Sequence, residues 1–177
     1  FAETGQIGLQ EEVKKISAGS GIRILGPNCM GIYNPSQRLD TFFLPRERLK
    51  RPGKGNIGIV SQSGAILSCL LGAATSSRTG VSKVAGYGNA MDIDESELYE
   101  YLAEDKDTEV VVSYIESVAD GRRFLEKARI LSEKKALLVL KAGKGKSGQA
   151  AAFSHTGRLA GRYEVFHSLL RRFNIRE

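Results

Sequence analysis

The chain has 177 residues, 41% hydrophobic and 26% charged, with a net charge of +6, a size that suits one domain, or one domain plus a fragment, around a sizeable core. No apolar run reaches the roughly 18 residues that a membrane-spanning helix needs, so no membrane association is expected. Basic residues gather at 46–54 and 134–146, but there is no groove-reading motif or aromatic-interleaved basic stripe, so nucleic acid is not the expected partner and phosphorylated small ligands fit the charge as well.

In chain order, Ile7, Leu9, Val13 and Ile16 recur at loose helical spacing and predict a helix over residues 6–17. Residues 22–25 read as a short strand ended by Gly26-Pro27-Asn28. Residues 33–54 contain Pro35, Pro45, Pro52 and several charges and read as a linker. The pattern then becomes regular. It predicts strands over 56–60, 81–87, 109–115 and 136–140, alternating with helices over 64–76, 95–104, 119–133 and 162–173. Asp92 and Asp94 supply acidic N-terminal candidates for the second of these helices. Val165, Phe166, Leu169, Leu170 and Phe173 share one face of the last. Continuous apolar strands alternating with helices predict an α/β fold, a parallel sheet with helices on both faces. Such sheets bind ligands beyond the carboxyl ends of their strands. The loops there are 61–64, 86–94, 116–120 and 141–161.

Three motifs in these loops fail on spacing. Gly143-Lys144-Gly145-Lys146-Ser147 ends like a phosphate-binding P-loop, but Leu140 stands where its first glycine belongs. Ser61 and Ser63 sit between strand and helix, yet neither has the glycine two residues earlier that a hydrolase nucleophile elbow requires. Gly86-Tyr87-Gly88 opens like a dinucleotide fingerprint, but Met91 replaces the third glycine. Cys29 and Cys69 are far apart and are expected as reduced thiols of a cytoplasmic protein. With two cysteines and two histidines in no close spacing, no metal site is expected.

What remains converges on one rim. Ser61, Gln62, Ser63 and Gly64 stand at a predicted helix start, where unpaired N–H groups and the helix dipole favour an anion; taken alone, an ordinary serine cap accounts for them somewhat better. His155 lies in a small-residue loop after the last predicted strand; on spacing alone a lone loop histidine carries no role, but this position can face the same rim as residues 61–64. Glu116 ends the strand before that one; it is either a solvated loop glutamate or a carboxylate that holds one imidazole nitrogen and leaves the other free to attack phosphorus. His167 is expected to face solvent, and Tyr99 and Tyr101 to serve packing or surface.

The segments Gly26-Pro27-Asn28-Cys29-Met30-Gly31, Ile57-Gly58-Ile59-Val60-Ser61-Gln62-Ser63-Gly64, Gly88-Asn89-Ala90-Met91-Asp92-Ile93-Asp94, residues 114–124 and Ser154-His155-Thr156-Gly157-Arg158-Leu159-Ala160-Gly161 occur in this order. Together they resemble the α-type region of nucleoside-diphosphate-forming acyl-CoA synthetases, above all the ADP-forming acetate–CoA ligases and more distantly succinyl-CoA synthetase α. The resemblance implies a flavodoxin-like domain over 55–177, a linker over 46–54, and the end of a Rossmann-like CoA-binding domain over 1–45. It implies that His155 carries the phosphoryl group, with Glu116 orienting it. It implies that Ser61, Gln62, Ser63 and Gly64 seat phosphate and that Gly26, Pro27 and Asn28 lie by CoA. CoA would be the cofactor of this chain. ADP or ATP and magnesium would belong to an ATP-grasp partner, either a β subunit in a hetero-oligomer or a fused region. Phe1 opens on what reads as interior sequence, so a longer polypeptide is expected, and a piece this short is expected to be inactive alone. The alternative is a metabolite-sensing, synthetase-like regulatory module of a protein lysine acetyltransferase.

Overall fold

A computed structural model describes residues 7–144, 163–173 and 175–176. Its centre is a six-stranded sheet of β1 (Gly31–Asn34), β2 (Leu39–Asp40), β3 (Lys54–Ser61), β4 (Val81–Gly86), β5 (Val110–Ile115) and β6 (Ala136–Lys141), in the order β2-β1-β4-β3-β5-β6. β3 lies parallel to β4 and β5, and β5 parallel to β6. The helices are α1 (Ile7–Ser20), α2 (Gly64–Ser76), α3 (Glu95–Glu104), α4 (Gly121–Lys134) and α5 (Tyr163–Arg172).

The apolar strands of the sequence divide their side chains between two cores. Ile59, Val81 and Val84 pack with Leu67 and Leu71 of α2 on one face. Val60, Val111, Ile115, Leu137 and Val139 pack with Tyr99, Leu102, Phe124, Leu131 and Leu170 of α3, α4 and α5 on the other. Phe124 links two of these helices, stacking on Phe166 at 5.4 Å and leaning on Tyr99 at 5.8 Å. Side-chain caps set the helix starts. Asp94 accepts from the Glu97 N–H, and Asp120 accepts from the N–H groups of Arg122 and Arg123, so α4 begins at Gly121 rather than at the expected 119.

Two expectations are overturned at the front of the chain. Residues 22–25 form no strand. Instead Ile24 N–H donates to the Asp92 carboxylate at 2.7 Å and Ile24 C=O accepts from Ile93 N–H at 3.1 Å, so the segment runs beside the loop after β4. The stretch 33–54 is not a plain linker, because it contributes to a hairpin. β1 turns through residues 35–38 into β2, and β1 adds antiparallel to β4, making the sheet mixed. The prolines mark the turn and the later strap, not the strands. Tyr33 secures the hairpin, its hydroxyl donating to Pro52 C=O at 2.7 Å.

Among the parallel strands alone, β3 is first in the chain yet lies between β4 and β5. The connection through α2 covers one face and the one through α3 the other. Where they diverge, a crevice opens beyond the carboxyl ends of β3 and β5. Among the described residues no helix is long and apolar enough to cross a membrane.

Candidate functional site

β3 delivers Ser61, Gln62 and Ser63 to this crevice, and α2 starts at Gly64. Ser63 is the cap: its backbone is extended and its hydroxyl accepts from Ile66 N–H at 3.4 Å. Ser61 is fully buried and its hydroxyl donates to Ser63 C=O at 2.8 Å. Gln62 reaches across the crevice. Its N–H donates to Tyr114 C=O at 3.1 Å. Its side-chain oxygen accepts from the N–H groups of Glu116 and Ser117 at 2.7 and 3.0 Å, and its Nε2 donates to Ser117 Oγ at 3.3 Å. Ser61 and Gln62 therefore use their side chains to build the turn. Ser63 and Gly64 line an open cavity of about 590 Å³, where the positive end of the α2 dipole is directed.

Glu116 is buried at the end of β5. Besides the bond to Gln62, its backbone carbonyl accepts from Lys141 Nζ at 2.7 Å. Lys141 also donates to Ala142 C=O and lies over the Phe166 ring, 5.6 Å from its centre. Three strand ends, those of β3, β5 and β6, are thus tied at Glu116. Two tyrosines stand near this carboxylate. Burial pushes the Tyr87 phenol well above the usual tyrosine range, with Glu95, Tyr99 and then Glu116 adding to it. Tyr114 is raised by burial and by Glu116. The Tyr87 hydroxyl is fully buried and has no hydrogen-bond partner among the described residues.

The loop of Gly26, Pro27 and Asn28 is locked to the loop after β4. Asn89 N–H donates to Pro27 C=O and Met91 N–H to Gly26 C=O, each at 3.0 Å, and Asn28 Nδ2 donates to Asn89 Oδ1 at 3.3 Å. Gly88 makes this approach possible. It sits at φ 55°, and a Cβ there would collide with the carbonyl oxygens of Pro27 and Asn28. Arg23 completes the lock, bound to Asp92 at 2.9 Å and to Glu97 at 2.6 Å; Glu97 is also bound by Arg123 of α4 at 3.1 Å.

Three of the sequence-read clusters therefore share one end of the sheet: the start of α2, Glu116, and the Asn28 loop, which lines the same cavity as Ser63. His155 lies outside the described residues, as does the rest of the stretch 145–162. His167, expected at the solvent face of α5, is half-buried instead; the same helix buries Leu170 completely and stacks Phe166 on Phe124, which brings this face against the core. Cys29 and Cys69 are free thiols, and burial pushes the Cys29 thiol up. Among the described residues no group of three or more His, Cys, Asp or Glu side chains is placed to hold a metal ion. The sequence reading passed over Lys141, Ser117 and Tyr87. Lys141 carried one legible signal, a lone cation closing an otherwise apolar strand.

Comparison with known proteins agrees with this architecture. The family described as "Succinyl-CoA ligase like flavodoxin domain" matches residues 54–177. The chain is 42% identical over 175 residues to an ADP-forming acetate–CoA ligase of Methanocaldococcus jannaschii, covering 99% of this chain and 24% of that protein. It is 38% identical over 177 residues to the α subunit of ADP-forming acetate–CoA ligase II of Pyrococcus furiosus, covering 99% of this chain and 38% of the subunit. A solved structure of dinucleotide forming acetyl-coenzyme A synthetase 1 from Ca. Korarchaeum cryptofilum, in complex with phosphate and ADP, superposes with a TM-score of 0.89 at 34% identity, covering 99% of this chain and 38% of that one. The chain thus spans well under half the length of these relatives.

Proposed function

Because the chain belongs to the family of succinyl-CoA ligase-like flavodoxin domains, we propose that it is the phosphoryl-relay part of a nucleoside-diphosphate-forming acyl-CoA synthetase, an acid–thiol ligase of the ADP-forming acetate–CoA ligase type. In this reading, phosphate attacks the carbonyl carbon of an acyl-CoA. The C–S bond breaks, giving an acyl phosphate and free CoA. One imidazole nitrogen of His155 attacks phosphorus, the bond to the acyl oxygen breaks, and the acid leaves. The phosphohistidine then transfers its phosphoryl group to ADP or GDP, which yields ATP or GTP and restores the imidazole.

The residues take the following parts. Glu116 holds His155 by one nitrogen and leaves the other free for phosphorus. The backbone N–H groups at Ser63 and Gly64 receive phosphate oxygens, while Ser61 and Gln62 brace the turn that presents them. Gly26, Pro27 and Asn28 stand by the reactive end of CoA, and the segment before β1 is the end of a CoA-binding domain. Nucleotide and magnesium are held by an ATP-grasp region, fused or in a separate subunit. In this reading the enzyme works in the cytoplasm. The relatives named as ligases favour this reading over a regulatory module, which has no support among them.

One observation carries the reading: Gln62 clasps the start of α2 to the backbone of Glu116 at the switch point of the sheet. This contact supports the reading, since it holds the start of α2, proposed as the anion seat, beside a buried carboxylate, the pairing a phosphohistidine relay requires. The test uses the intact enzyme containing this chain, incubated with γ-labelled ATP and magnesium. Acid-labile label is expected on this polypeptide and is expected to vanish in His155→Ala. Label that survives the substitution removes His155 from the relay.

A further inference from the structure

The cavity beside Ser63 and Gly64 has a second wall. Met30, Phe43 and Leu44 line it too, and among the described residues that line it none carries a charge. Phe43 is unusual among these. Its neighbour Phe42 is buried in the α2-side core, whereas Phe43 is 70% exposed. An exposed phenyl ring gains little from burial and gives nothing to the core.

The backbone on both sides of Phe43 is pinned. Thr41 N–H donates to Ile32 C=O at 2.9 Å, and Ile32 N–H donates to Thr41 Oγ1 at 2.8 Å, tying the strap to β1. On the other side the Arg51 guanidinium, only 4% exposed, donates to Leu44 C=O at 2.7 Å and to Leu49 C=O. It also binds Asp40 at 3.0 Å and lies over the Phe42 ring at 4.7 Å. A buried cation, a carboxylate and a β-strand thus fix a few residues of chain whose one exposed aromatic faces the cavity. The backbone that presents Phe43 to the cavity is therefore held in place, which a residue that sets the size of the cavity requires.

Resting on the reading above, we infer that Phe43 sets the size of the acyl group the enzyme accepts. The occupant is the acyl chain of the thioester, its reacting carbonyl toward the start of α2 and its tail against Phe43, Leu44 and Met30. Among the described lining residues Phe43, Leu44 and Met30 supply the apolar surface that an acyl tail would meet.

The experiment uses the intact enzyme, measuring phosphate- and ADP-dependent CoA release from acetyl-CoA, butyryl-CoA and phenylacetyl-CoA in wild type, Phe43→Ala and Phe43→Trp. Removing the ring is expected to raise kcat/KM for phenylacetyl-CoA relative to acetyl-CoA by about tenfold or more. Phe43→Trp is expected to shift the balance toward acetyl-CoA. In the reverse direction, KM for free CoA is expected to stay unchanged. If all three thioesters change in parallel, or if the KM for CoA changes instead, Phe43 is not an acyl wall and the proposed function stands. If wild type releases CoA from none of the three, the cavity takes no short or aryl acyl tail and this inference fails, while the histidine-labelling test decides the function reading separately.

Discussion

The side-chain oxygen of Gln62 accepts the N–H groups of Glu116 and its neighbour Ser117 at 2.7 and 3.0 Å, so the residue before a helix start dictates where the carboxylate at the end of the next strand stands. Both residues are buried. Leucine at position 62 would leave those two N–H groups without their acceptor, at a cost of roughly 1–3 kcal/mol. We expect Gln62→Leu to lower unfolding free energy by that order in urea titration, and to slow histidine phosphorylation in the intact enzyme. Gln62→Glu keeps the acceptor but buries a second negative charge beside Glu116 and the proposed phosphate seat, so it is expected to slow phosphorylation as well.

Asp40 and Arg51 support the strap under Phe43. Arg51 is nearly inaccessible to solvent and the Asp40 side chain is 16% exposed. Removing the carboxylate strands a buried guanidinium, which costs about 3–5 kcal/mol. Asp40→Ala is expected to show a loss of that order in chemical denaturation, with Asp40→Asn milder because an oxygen acceptor remains.

Two glycines predict opposite outcomes. Gly88→Ala puts a Cβ into the carbonyls of Pro27 and Asn28 at a positive φ, and is expected to cost about 1–3 kcal/mol while weakening CoA binding by the intact enzyme in calorimetry. Gly72 lies within α2 and a Cβ there meets nothing within 4 Å. Gly72→Ala is expected to stabilise by about 0.5–1 kcal/mol, as alanine loses less entropy on entering a helix. Thermal melts of the two variants should move in opposite directions.

Asp92 makes stability depend on acid. Hydrogen bonds from Arg23 hold its carboxyl below the usual carboxylate range, burial opposes them, and Ile24 N–H adds to them. A depressed folded pKa stabilises above the unfolded value, near 3.9, and the contribution is lost as pH falls through the folded value. The stability gap between wild type and Asp92→Asn should therefore be full at neutral pH, shrink below about pH 4, and narrow with salt because Arg23 is more than half exposed. Denaturation midpoints measured from pH 7 to pH 3 check this.

The second half of the fold was legible because its signals are local. Val110, Val111 and Val112 declare a strand, and the predicted bounds of α2 and α3 coincide with the observed ones. Ile22, Ile24 and Leu25 declare nothing, since three apolar residues suit a strand or a loop packed against another loop. Long-range partners decided the matter: Asp92, which the sequence offered as a helix cap, bonds Ile24 instead, and Asp94 caps α3. β1 and β2 were hidden among prolines because strands of four and two residues leave no period to read. At the site, Glu116 and the start of α2 could be placed on one rim from topology alone. The clasp by Gln62 could not, since a glutamine carries no sign of which backbone it will meet fifty residues on.

The fit of Gly88 under the Pro27 and Asn28 carbonyls bears on how proteins of this kind are recombined. The segment ahead of β1 and the loop after β4 are separated in the chain but shaped as a single mould, so neither is an independent cassette. A chimera that grafts a foreign front domain onto this sheet at Gly31 must import that domain's own counterpart of residues 88–92 as well, or its new loop will meet a surface cut for another.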